Sequence, residues 1–367
     1  MSSGITRGYL VLADISGFTS FVAETELLHA KSILSDIFRL IVGSFGTSLK
    51  VAEIEGDAVF AFVPKEDLRR GELLLEIIES TYVKFRNRQL SSDRMAKCEC
   101  RACEQSSSLD LKFIAHYGDF ALQKVTGRLK PLGTSVNTVH RLSKNGITSS
   151  TGWRGYALFT KECLNELGVR PDQLHEATEE YEHLGKIRTF SFNLEDRLNA
   201  YMEARKVVVE EARAHVEIVK EYPVTPAVLW DWLNDPVRRL QWMITSDWQA
   251  LTRPGGRLGQ GAANHCIKSG FVETILDWHP FSYFTVRLGR GPISFIATSE
   301  LVPADSGTRL IWRARSDSRL PDWMMRPVCR LLISRGARSQ ENLKLLGELL
   351  EKEQNEPVKS PNQGSGD

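Results

Sequence analysis

Several features that would settle the class of this chain at once are scarce in it. Its 367 residues hold six cysteines, too few for a disulfide scaffold. No apolar run approaches the roughly 18 residues that cross a bilayer as a helix. Charge of either sign is not in excess: 47 Lys and Arg stand against 46 Asp and Glu, a net of +1. Bulk electrostatic binding to nucleic acid, which needs a basic face, is therefore not expected. The start, MSSGITRGYLVLADISG, lacks the basic segment, apolar run and cleavage site of a secretory signal, so a cytoplasmic protein is expected. With 42% hydrophobic and 25% charged residues, the composition excludes a disordered, collagen-like or coiled-coil chain. The sequence shows no internal repeat.

What is present is unevenly placed. Cys98, Cys100 and Cys103 crowd into one short stretch, and seven of the eight tryptophans follow residue 229. Length alone suits about two domains, and the asymmetry predicts that they are unlike. We divide the chain into residues 1–193, a charged and helix-prone linker at 194–214, a second domain at 215–355 and a polar, disordered tail at 356–367. Residues 194–214 read either as a linker helix or as the last helix of the first domain.

In the first half, the apolar run Tyr9–Ala13 predicts a buried strand. Phe18, Phe21, Val22, Leu27, Leu34, Phe38, Leu40 and Ile41 recur at helical spacing, which predicts a helix over 17–42. A strand pair follows around Ser48–Ile54 and Ala58–Val63. Gly56 stands where its tight turn needs positive φ. A second amphipathic helix is expected over 66–88, a cysteine-bearing loop over 90–108, a half-buried strand over 109–116 and a helix over 135–144.

Two aspartates sit where strands end: Asp14 in LADISGFT and Asp57 in EIEGDAVF. If those strands are neighbours, both carboxylates enter one pocket. Paired carboxylates are oxygen ligands for Mg²⁺ or Mn²⁺. Two such ions roughly 4 Å apart activate a hydroxyl and neutralise phosphates during in-line displacement. Taken singly, either aspartate reads as a residue that caps or turns the backbone.

ADISGFTSF, GDAVFAF and GTSVNTVHRL, in that order, resemble three successive motifs of class III nucleotidyl cyclases over roughly residues 8–192. The resemblance implies a ferredoxin-like domain that forms a homodimer with active sites between protomers. It implies that Asp14, Asp57 and the Ile15 carbonyl hold the metal ions, that Asn137 orients the ribose and that Arg141 stabilises the transition state. Residue chemistry agrees: Asn137 and Arg141, four apart, share a helix face, and arginine presents a planar fork to phosphate oxygens. The implied reaction joins the ribose 3′-hydroxyl of a nucleoside triphosphate to its α-phosphate and releases pyrophosphate. Lys186 loosely matches the family's late phosphate-binding lysine. The base pocket departs from the family. Glu53 stands where adenylate cyclases carry lysine and guanylate cyclases glutamate. Lys130 fits neither scheme, and it either pairs with Glu53 and fills the pocket or meets the O6 acceptor of guanine.

Cys98, Cys100 and Cys103 form a C-x-C-x-x-C arrangement that suits Zn²⁺ but supplies three of the four tetrahedral ligands. His116, His140 and Cys163 are candidates for the fourth. The alternative is a surface loop with reduced thiols. The cysteine-rich insert resembles that of a little-characterised bacterial branch of cyclase-like proteins.

Residues from about 213 to 353 resemble the polyketide cyclase/START-like (SRPBCC) superfamily. The carrying features are PVTPAVLWDWLNDPVRRLQWM, Gly-punctuated strands such as VETILDWHPFSYFTVRL, and one long C-terminal helix from Trp323 to Glu353. The resemblance implies a helix-grip fold around an apolar cavity for a hydrophobic small molecule, so the whole is α+β. Trp230, Trp242, Phe281, Tyr283, Phe295, Trp312 and Trp323 either line that cavity or fill the core. The basic run Arg326, Arg330, Arg335 and Arg338 reads as a solvated face, or one that touches an anionic ligand, a membrane surface or a partner domain. Two functions remain open. One is a metal-dependent nucleotidyl cyclase regulated by a ligand of the second domain. The other is a degenerate cyclase-like module that binds nucleotide or only dimerises, coupled to a ligand-carrying domain.

Overall fold

The computed structural model describes residues 4–68, 70–95, 101–125, 128–171, 173–203, 206–243, 247–290, 293–317, 321–333 and 338–355. The chain divides into two compact units, one ending at Glu203 and one following it.

The first unit begins with β1 (Ile5–Ser16), α1 (Phe18–Glu24) and α2 (Leu27–Phe45). The hairpin β2 (Lys50–Glu55) and β3 (Ala58–Pro64) follows, then α3 (Gly71–Met95), the short α4 (Arg101–Gln105) and β4 (Asp110–Val125). These strands lie in the order β2-β3-β1-β4, each antiparallel to its neighbour. Strand, helix, hairpin, helix and strand in that spatial order make the ferredoxin-like βαββαβ arrangement. β5 (Arg128–Leu132) folds back on β4. Next come α5 (Thr134–Leu142), α6 (Ile147–Thr151), β6 (Tyr156–Thr160), α7 (Lys161–Leu167), β7 (His175–Tyr181), β8 (Gly185–Asn193) and α8 (Leu194–Glu203). β6, β8 and β7 extend the sheet beyond β4, with β6 parallel to it.

β1 reads as a continuous apolar run because both its faces are covered. Leu10 and Leu12 join Phe60, Phe62, Ile114, Val139 and Leu142 in one core. Val11 and Ala13, of opposite parity, are buried as well, and α2 buries Leu34, Ile37 and Ile41. Where two layers cover a sheet, alternation disappears from its central strands.

Four expectations need correction. The helix expected over 17–42 is two helices, because Thr25 is extended. Its hydroxyl bonds back to the Phe21 carbonyl. The segment 90–108 is not a loop throughout: α3 runs to Met95 and α4 follows 96–100, which lie outside the described residues. Tertiary partners hold this polar stretch in place. The Glu26 carboxylate accepts the Ala102 amide at 3.1 Å. Gln89 donates to the Ser106 and Leu109 carbonyls at 2.9 Å each. The 194–214 segment is not one helix: its α-helix is described to Glu203, 206–210 are not helical, and Glu211–Arg213 form a single 3₁₀ turn. Leu194 and Leu198 are buried in the α-helix, and Tyr82 donates to Glu195 at 2.9 Å, so α8 is the last helix of the first unit. Beyond it, the Val207 and Val209 amides donate to the Asp277 carboxylate and the Thr298 hydroxyl. These side-chain acceptors replace the carbonyls a helix would supply.

The fourth correction lies in the second unit. It comprises β9 (Val216–Tyr222), α9 (Pro226–Asn234), α10 (Pro236–Trp242), β10 (Trp248–Thr252), β11 (Ala263–Cys266), β12 (Val272–His279), β13 (Tyr283–Arg290), β14 (Ile293–Ala304) and β15 (Gly307–Ser316). Two helices close it, α11 (Asp322–Leu331) and α12 (Ser339–Asn355). The strands form one antiparallel sheet in the order β10-β11-β12-β13-β14-β15-β9. α12 buries Leu343, Leu346 and Leu350, giving the sheet-and-helix arrangement of a helix-grip fold. The long C-terminal helix is thus divided, with Arg338 at φ +48° just before α12. The expected tail, 356–367, lies outside the described residues. Among the described residues, no helix is long and apolar enough to cross a membrane.

Candidate functional site

The carboxylate end of the first sheet is built by register. Asp14 lies opposite Ala58 on β3 and opposite Lys112 on β4. Asp57 directly precedes Ala58, in the turn where Gly56 takes φ +58°, a conformation that a Cβ would strain. The Ile15 amide donates to the Asp57 carbonyl at 3.0 Å, which ties the end of β1 to that turn. The strands of Asp14 and Asp57 are therefore adjacent, as the shared-pocket expectation required.

Asp14 is 7% exposed. Burial pushes its carboxyl up from the ordinary 3.8 to about 6. Lys112 pulls it back and the charge of Asp57 pushes it further up. The two carboxylates thus feel each other. The Lys112 ammonium stands 3.5 Å from Asp14 Oδ1 and donates to the Ser143 carbonyl at the end of α5, at 3.1 Å. Lys112 was not singled out from the sequence. A signal was available: in DLKFIAHY, Lys112 shares strand parity with Ile114 and His116, so a charge stands on a face that packs inward.

Asn137 and Arg141 are both exposed on α5. Between them, His140 rests its ring 4.8 Å from that of Phe60, against the core. Glu53 on β2 and Lys130 on β5 form an ion pair, the first of the two arrangements open to Lys130. Glu53 also lines a groove of about 520 Å³ with Val42, Val51, Phe62 and Leu129. Lys186 lies exposed in β8 opposite Glu180, and β4 and β6 separate its strand from β1. The structure brings Asp14, Asp57 and Lys112 together at one place and Glu53 and Lys130 at another. Lys186 joins neither.

The residues present fit a divalent cation at the first place. Asp14, buried and resisting ionisation, feels the charge of Asp57, and such a pair of carboxylates is relieved by a cation with oxygen affinity. Among the described residues, no group of three or more His, Cys, Asp or Glu is gathered for a metal. Two carboxylates with a backbone carbonyl fall outside that pattern. For the zinc expectation, Cys98 and Cys100 lie outside the described residues. Cys103 is a half-buried residue of α4. Of the candidate fourth ligands, His116 Nδ1 is engaged by the Thr160 hydroxyl at 2.9 Å, His140 lies on Phe60, and Cys163 is fully buried.

In the second unit, Trp230 is fully buried and meets Trp278, Phe281 and Phe284 edge to face at 4.7, 5.8 and 5.5 Å. Trp242 is buried and donates to the Trp232 carbonyl at 3.0 Å. Trp323 is 78% exposed, which removes it from the expected interior set. A buried polar network stands in the same unit. Arg239 makes two parallel bonds to Glu273, at 2.8 and 2.9 Å, and Asn264 donates to the same carboxylate at 2.8 Å. Burial opposes the charge on Glu273, but Arg239 and Asn264 outweigh it and hold the carboxyl below its usual range.

Comparison with known proteins adds the following. Residues 213–351 match the model of a family described as polyketide cyclase / dehydrase and lipid transport. Residues 34–151 match one described as a protein of unknown function, DUF2652. The chain is 32% identical over 149 residues to a Mycobacterium tuberculosis protein named "Uncharacterized protein Rv2561/Rv2562". That match spans 40% of this chain and 66% of the relative, just under two thirds of the relative's length. Among solved structures it is similar to the guanylyl cyclase Cya2, with 14% identity and a TM-score of 0.40, covering 52% of this chain and 93% of that one. The adenylyl cyclase CyaB from P. aeruginosa gives 13% and 0.40, with coverage of 52% and 95%. The protein CV1439 from Chromobacterium violaceum gives 20% and 0.29, with coverage of 37% and 96%. The two family models fall on separate units, the DUF2652 match within the first and the polyketide cyclase / dehydrase and lipid transport match within the second.

Proposed function

We propose that the first unit is a nucleotidyl cyclase. It would bind a nucleoside triphosphate with Mg²⁺ or Mn²⁺ at Asp14, Asp57 and the Ile15 carbonyl and close it to a cyclic nucleotide. The second unit would bind a hydrophobic small molecule that regulates it. The observation that carries this reading is the buried Asp14 carboxylate, opposed both by desolvation and by the charge of Asp57, with Lys112 as its near cation. A bound divalent ion would neutralise phosphate charge. The chain's own residues do the rest by positioning. Arg141 offers its fork to phosphate oxygens where charge accumulates, and Asn137, on the same face of α5, orients the ribose. Glu53 and Lys130 offer an acceptor and a donor to a base once their mutual pair opens. As in the cyclases it resembles, the site would be completed by a second copy in a homodimer.

The test is turnover. Purified protein with GTP or ATP and Mn²⁺ or Mg²⁺ is expected to yield cyclic nucleotide and pyrophosphate, and Asp57→Ala to abolish both. Absence of product with either nucleotide, together with unchanged nucleotide binding by Asp57→Ala, refutes the reading. The closed Glu53–Lys130 pair favours a second one: a nucleotide-binding or dimerisation module without turnover, coupled to the ligand-binding unit. Binding of nucleotide without product, in the presence and absence of hydrophobic ligands, would identify it.

A further inference from the structure

α11 presents an apolar face to solvent. Its inner side is anchored: Cys329 and Ile333 are buried, and Cys329 Sγ meets His215 Nδ1 at 3.3 Å. The outer side carries two adjacent rows at four-residue spacing. Trp323, Pro327 and Leu331 form one, and Met324, Val328 and Leu332 the other. All six are exposed, Trp323 by 78% and Leu331 by 55%. A contiguous apolar stripe on a soluble unit marks an interaction surface.

The charges beside it select the partner. Arg326 and Arg330 occupy the neighbouring row, also exposed. They donate to the Ala214 and His215 carbonyls, at 3.2 Å each, groups with no charge to cancel theirs. Over residues 322–339 the sequence holds four arginines and one aspartate, in a chain whose net charge is only +1. A ten-residue helix is too short to span a bilayer. An apolar face containing tryptophan and flanked by arginines is the composition of a helix that lies in a membrane interface.

We propose that α11 docks this unit on an anionic lipid surface. The Trp323–Leu331 and Met324–Leu332 rows enter the headgroup boundary, and Arg326 and Arg330 reach the phosphates. The basic run read from the sequence thereby acquires a role distinct from the nucleotide chemistry of the first unit.

The experiment is co-sedimentation of the full chain with vesicles of phosphatidylcholine alone or mixed with phosphatidylglycerol. Binding is expected to the mixed vesicles and to weaken with added salt. Trp323→Asp/Leu331→Asp is expected to reduce it at least about tenfold, and Arg326→Gln and Arg330→Gln about fivefold each. Every substituted side chain is exposed, and unchanged thermal unfolding confirms that the variants fold. The proposal is overturned if the wild type ignores both vesicles or if the double variant binds as the wild type does. It is also overturned if the wild type ignores vesicles and the double variant lowers the oligomeric mass by light scattering, which makes the stripe a contact between copies.

Discussion

Replacing Asp14 by asparagine removes a buried charge while keeping the side chain's shape. The Asp14 carboxyl titrates at about 6 in the folded chain against an ordinary 3.8, so between those values the native state keeps a proton that the unfolded chain has released. Stability therefore falls as pH rises through this window and is flat outside it. The whole effect is about 3 kcal/mol, at 1.36 kcal/mol for each pH step between the two values. Asp14→Asn lacks this dependence. The stability of wild type relative to variant is expected to drop by about 3 kcal/mol from pH 3.5 to pH 7. For a unit of about 200 residues this is a differential melting shift of about 6–12 °C. Far-UV circular dichroism reads the transition. Tryptophan fluorescence supplies a control, because seven of the eight tryptophans follow residue 229 and report the second unit, which the substitution should not move. Mn²⁺ at neutral pH should restore the wild type and not the variant, by about 2.7 kcal/mol at a hundredfold excess over its dissociation constant. Parallel pH profiles for the two proteins would refute the assignment of a costly buried charge to Asp14.

Lys112→Met removes the cation beside Asp14, so the first unit should bind Mn²⁺ more tightly by about fivefold or more, read by calorimetric titration; weaker binding would contradict the reading. Glu273→Gln leaves the buried Arg239 guanidinium without its carboxylate and should destabilise the second unit by about 3–5 kcal/mol, read by the tryptophan-detected transition. If the C-x-C-x-x-C cluster holds structural zinc, protein purified without chelator will contain the metal and Cys100→Ser will lose it. Absence of zinc, or full retention in the variant, removes that expectation.

Parts of the site were legible because they depend on local rules. Asp14 closes an apolar run and Asp57 follows a glycine whose positive φ a tight turn demands, so neighbouring residues alone set Asp57 in the turn and Asp14 near the end of its strand, which runs on two residues to Ser16. Asn137 and Arg141 share a helix face by spacing alone. Lys112 escaped because its meaning comes from pairing: only the register of β4 against β1 sets it opposite Asp14, across nearly a hundred residues of chain. The Glu53–Lys130 pair was one of two open arrangements for the same reason, since β2 and β5 meet through the fold and not through sequence proximity.

Element boundaries divide along the same line. The strands, the turn at Gly56 and the two-unit organisation follow from apolar patterning and from the uneven tryptophans, which the sequence carries by itself. Tertiary partners decided that 206–210 are not helical, because the Val207 and Val209 amides take acceptors from the second sheet. They also decided that the polar segment 101–108 is ordered, through Glu26 and Gln89. The sequence placed a helix from Trp323 and set Trp323 among the interior aromatics, and only the packing shows that Trp323 faces solvent while Cys329 is buried. A periodic pattern specifies a face and its width. Which neighbour covers that face, and whether any does, depends on contacts between residues far apart in the chain, and these exist only once the chain has folded.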